Sequence, residues 1–145
     1  MGLFNPNAVF LSDVNLLLQL AILVVLIVGF SLKRSRIYPK HGATMAIAVA
    51  MHSISIFAIM LPSLLALTGS WVNSFAPVPL VVLPHAVLGS LVEILGVYLV
   101  LTWALDHREV KVCSSKKKLM KPTLILWLIE LAIGIYVYIL LYVAT

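Results

Sequence analysis

Acidic side chains are scarce in this sequence: five Asp and Glu stand against ten Lys and Arg in 145 residues, and charged residues make up only 10% of the chain. Soluble domains normally carry about a quarter charged residues, so this composition excludes an ordinary water-facing surface. Cysteine is nearly absent as well. Cys113 stands alone, which excludes an internal disulfide. Zinc-ligand spacing, a phosphate-binding glycine loop and the residues of soluble-type hydrolysis are missing, so the chain is not expected to be an enzyme on its own. The opening MGLFNPNAVFLSD has no basic residue ahead of its apolar run, and that run is longer than the core of a signal peptide. The first helix is therefore expected to be retained.

What is present is hydrocarbon. Hydrophobic residues make up 63% of the chain, in runs of about 20 residues, each enough to cross an apolar layer of roughly 30 Å. They predict a single all-α domain over residues 1–145, a bundle with spanning helices near 14–32, 43–67, 81–105 and 122–143. Lys33, Arg34, Arg36 and Lys40 fall in the first connection, and Arg108, Lys111, Lys116, Lys117, Lys118 and Lys121 in the third. The positive-inside rule then places both basic connections in the cytoplasm and both termini outside the cell membrane. Lipid headgroups account for the positive balance, and a nucleic-acid partner is not expected. Pro62 should kink or end the second helix, with the apolar stretch from Ser63 to Pro79 lying at the outer surface. Ser12, Asp13 and Asn15 read as capping residues, and Gln19 should turn toward the bundle.

The second run, HGATMAIAVAMHSISIFAIM at 41–60, is apolar enough to enter a membrane yet carries His41 and His52. At about 100° per residue, eleven steps bring both rings within roughly 20° of one face, which also holds Met45, Ala48, Ser55 and Ile59. In the third run His85 and His107 fall about 40° apart on a stripe containing Gly89, Gly96 and Trp103. Small residues there permit close helix packing, and they equally leave room for a flat macrocycle. Neutral imidazole is a common axial ligand of haem iron, so His52, His85, His41 and His107 are candidate ligands of a haem b, with Met60 a further option near the level of His85. His52 and His85 are the better buried pair for the metal, although an ideal count separates them by about 13 Å of depth. His41 and His107 match in depth at the inner boundary.

Glu93 and Glu130 lie well inside apolar helices, where a charge costs at least about 2.5 kcal/mol. Counted inward from the basic boundary, His52, Glu93 and Glu130 share one depth to within about a turn. Such a trio is either a proton relay or a hydrogen-bonded brace.

The segments KHGATM at 40–45, PHAVLGS at 84–90 and LWLIELAIGIYVYILLYV at 126–143 resemble those of small four-helix integral membrane proteins of long-unassigned function. The bacterial members of that family include maturation factors of haem–copper cytochrome oxidases. The resemblance implies a link to respiration and haem, with His41 and His85 matching the family's recurring histidines. Where the family carries a histidine before its fourth helix this chain has lysines, with His107 displaced toward the third helix, and His52 is an addition. Two expectations follow. One is a b-type, cytochrome-like haem protein for electron transfer or a small subunit of a respiratory membrane complex. The other is a cofactor-free accessory subunit that helps mature or stabilise a haem–copper oxidase or another membrane complex.

Overall fold

The computed structural model describes residues 10–71, 78–105 and 115–143. The elements are α1 (Phe10–Arg34), α2 (Tyr38–Ile54), a π-helical segment (Ser55–Met60), α3 (Leu61–Trp71), α4 (Val78–Leu105) and α5 (Lys117–Tyr142). α2, the π segment and α3 run on as one helix. Among the described residues, four helices are long and apolar enough to cross a membrane: Phe10–Arg34, Tyr38–Ala66, Leu80–Leu105 and Lys117–Tyr142. The chain is an all-α four-helix bundle. α1 packs on α2, α2 on α4, α4 on α5, and α5 closes the ring on α1.

Lipid tails are as apolar as leucine, so association of such helices depends on close packing rather than on escape from water. Ile22 and Leu26 of α1, Ala48 and Val49 of α2, Val92 of α4, and Trp127 and Leu131 of α5 form the packed centre. Gly42 lies against the Trp103 indole so closely that a Cβ there would overlap the ring. Val24, Ile27, Ile94 and Ile125 point outward and are more than half exposed. That apolar exterior suits lipid.

Pro62 does not end the second spanning helix. The backbone widens before it instead, with the Leu61 N–H bonding to the Ile56 carbonyl five residues back. In this wider turn the N–H that Pro62 lacks is absorbed without breaking the helix. The stretch expected at the surface from Ser63 onward is helical as far as Trp71.

Ser12, Asp13 and Asn15 lie within α1 and bond across the bundle rather than capping it. Ser12 Oγ pairs with the Tyr142 hydroxyl at 2.9 Å, and Tyr138 donates to Asp13 at 2.5 Å. Ser55 donates to Asn15 Oδ1 at 2.5 Å, while Gln19 Nε2 donates to Ser55 Oγ at 2.8 Å. Buried side chains of this kind need partners in hydrocarbon, and facing helices supply them.

Candidate functional site

The face of α2 that packs inward carries His41, Ala48 and His52, followed in the π segment by Ser55 and Ile59. This is the stripe that the 100° periodicity selects. It holds His52 fully buried. His52 Nδ1 donates to Glu93 Oε2 of α4 at 3.0 Å, and the Ser53 hydroxyl donates to Glu93 Oε1. On the other edge of the ring, Nε2 lies 3.8 Å from Glu130 Oε2 of α5. Glu130 Oε1 in turn lies 3.5 Å from His85 Nδ1 of α4.

These last two separations exceed a good hydrogen bond. His52 Nε2, His85 Nδ1 and both Glu130 oxygens have no hydrogen-bond partner among the described residues. Glu130 is fully buried. Trp127, one turn earlier on α5, tilts against the His52 ring with 5.1 Å between centroids. Gly134 makes the space, whereas Gly89 stands at an ordinary contact distance. A Cβ on Gly89 would stand 3.5 Å from Glu130 Oε1, and one on Gly134 only 3.0 Å from His85 Cε1.

Two carboxyls and two imidazoles make a group that is electrically neutral with all four uncharged, or with protons moved from carboxyl to ring. Protons can therefore redistribute among His52, His85, Glu93 and Glu130 at constant net charge, which hydrocarbon tolerates far better than an isolated ion.

A haem between His52 and His85 does not fit this packing. The Glu130 carboxylate fills the space between their rings, and the glycine stripe is covered, Gly89 by Glu130 and Gly96 by Val49 and Trp127. Among the described residues, no group of three or more His, Cys, Asp or Glu has the arrangement of a metal site. His41 is placed differently. It lies at the basic end, where Nδ1 donates to the Gly29 carbonyl at 2.8 Å, the orientation that readies an imidazole to act through Nε2. Beside it an apolar cavity of about 150 Å³ is lined by Met45, Trp103 and Met120, with Lys33 and Lys121. His107 lies outside the described residues. Met60 sits 4.0 Å from Gln19 Nε2, remote from His41.

A second cavity, of about 190 Å³, opens at the other end of the bundle and reaches Gln19, Met60, His85, Glu130 and Tyr138. The His85–Glu130 approach was not visible from helix counting. Its one sequence signal is the Glu130–Gly134 spacing, a small residue one turn beyond a carboxylate on the same face.

No family model matches this chain, and no curated protein or solved structure matches it either.

Proposed function

We propose that the chain is a multi-pass cell-membrane protein that exchanges protons at a centre formed by His52, Glu93, His85 and Glu130, with its basic connections on the cytoplasmic side. One observation carries this reading. A fully buried carboxyl, Glu130, holds two oxygens without hydrogen-bond partners between two imidazoles in the middle of an apolar bundle. A merely structural brace would be expected to satisfy those atoms, because each unmet polar group costs about 1–3 kcal/mol. Trp127 gives the test, since imidazolium quenches an indole in contact with it. In a Trp71→Phe/Trp103→Phe protein, Trp127 emission should change sigmoidally between about pH 5 and 9, and Glu130→Gln should move or remove that change. A flat profile defeats the proposal.

A second reading is favoured by the His41–Gly29 hydrogen bond and the cavity beside it. Here a b-type haem would be held at the basic end by His41, with Met45 and Trp103 toward its apolar body and Lys33 and Lys121 toward its carboxylates, and the helices there would have to part to admit it, because a cavity of about 150 Å³ takes only a benzene-sized group. The haem would supply one-electron transfer, and the chain would then serve a respiratory membrane complex as a small subunit or an accessory to its maturation. A Soret band in protein made with ample haem, lost in His41→Ala, supports this reading. Colourless protein defeats it, and co-purification with oxidase subunits would leave the accessory role.

A further inference from the structure

The cavity opposite the basic end has a chemical character of its own. Its walls include Ile56, Ile59, Leu131 and Ile135, so most of the surface is apolar. Two of its lining residues carry acceptors with no hydrogen-bond partner among the described residues: Gln19 Oε1, on a side chain nine-tenths buried, and both oxygens of the fully buried Glu130. Tyr138 and Tyr142 line it as well, the first donating to the buried Asp13. Among the described residues, no lysine or arginine lines it.

An apolar chamber of about 150 Å³ accommodates one benzene-sized group, and this one, at about 190 Å³, is somewhat larger. A strongly hydrated inorganic ion would forfeit its water for too few ligands. An anion would meet Glu130. A cation with apolar substituents meets a carboxylate, a free amide oxygen, two aromatic rings and greasy walls, each of which favours it.

We infer that this cavity binds a lipophilic organic monocation, an alkyl or aryl amine or quaternary ammonium, whose charge replaces the proton on Glu130. The inference rests on the proton-exchange reading of the same centre. The exchange is balanced: one cation enters, the Glu130 carboxyl gives up one proton, and no covalent bond changes. Among the described residues, the titratable groups next to Glu130 are His52 from α2, itself bonded to Glu93, and His85 from α4, with Tyr138 and Tyr142 of α5 lining the same cavity. From α1 the cavity is lined by the uncharged Ser12, Asn15, Leu16 and Gln19.

The test is equilibrium binding of benzyltrimethylammonium to the full chain in detergent, with neopentylbenzene as the neutral isostere and a pH dye in weak buffer. The ammonium should bind at least tenfold more tightly than the isostere and release about one proton per cation. Glu130→Gln should weaken binding at least tenfold. Ala86→Phe, which narrows the cavity and leaves both carboxyls in the sequence, should do the same, so a folding defect in the first variant cannot decide the matter. Equal binding of the isostere, or ammonium binding undiminished in both variants, overturns the inference. If Trp127 responds to pH but no ammonium binds, the cation site falls and the proton centre stands. If ammonium binds through Glu130 while Trp127 is blind to pH, the cation site stands and proton exchange at His52 falls.

Discussion

The Tyr138 hydroxyl donates a 2.5 Å hydrogen bond to the buried Asp13, tying the beginning of α1 to the end of α5. In chain order the two lie 125 residues apart. The bond closes the four-helix ring where α5 returns to α1. Tyr138→Phe removes the donor and should destabilise the folded protein by about 1–3 kcal/mol. Asp13→Asn together with Tyr138→Phe should cost less than the sum of the single changes, read from denaturation of the detergent-solubilised chain.

Glu93 accepts from two neighbours on α2, His52 and Ser53. Glu93→Ala would leave His52 Nδ1 without that partner inside the bundle and should lower stability by about 1–3 kcal/mol. Glu93→Gln, which keeps an acceptor oxygen and the side-chain volume, should recover more than half of that loss. Equal midpoints for the two variants would show that the contact carries no stability.

Gly42 has the Trp103 indole lying on its backbone. Gly42→Ala should displace the ring and cost about 1–3 kcal/mol by overpacking. Ala43→Leu, at the exposed neighbouring position, should be near neutral. A red shift of Trp103 emission in the first variant and not in the second would register the displacement directly.

Gly134→Ala would put a methyl 3.0 Å from His85 Cε1. The helix should tolerate alanine, so the ring must move by a few tenths of an ångström. Nitrogen NMR of labelled histidines should then show the His85 signals shifting while those of His41, at the basic end, hold still. Unchanged His85 signals would mean that the ring does not rest on Gly134.

Two physical regularities made much of this arrangement readable in advance. Hydropathy and helix length identify four spans, and the 100° turn per residue selects the stripe of His41, Met45, Ala48, His52, Ser55 and Ile59, all buried except the half-buried Met45. Depth counting also places His52, Glu93 and Glu130 together, and the observed separations of 3.0 and 3.8 Å agree with it. His85 escaped that count. A straight-helix ruler set it well away from His52, but it omits the reach of the Glu130 side chain, and that chain bridges the gap from α5. Asp13 and Asn15 look like cap residues in one dimension because local sequence cannot reveal a donor more than a hundred residues away, or one carried on a different helix. Pro62 was readable as a disturbance, but whether a helix breaks or widens depends on the packing around it.

The widened segment from Ser55 to Met60 also sets the phase of the helix that follows. A turn closed by bonds to the fifth residue holds one residue more than an α turn, so α3 is rotated by about 100° from where an unbroken α-helix would carry it. Straightening the segment between Ser55 and Met60 to α geometry at its present length would leave His52 on Glu93 and swing Leu61, Ser63 and Leu64 away from the cavity they now line, whereas loss of one residue there would relax the segment and keep both faces in place. In a loop a one-residue change of length is absorbed as slack. The widened turn gives this helix the same slack for one lost residue, which elsewhere in α2 or α3 would act as a rotation of everything that follows.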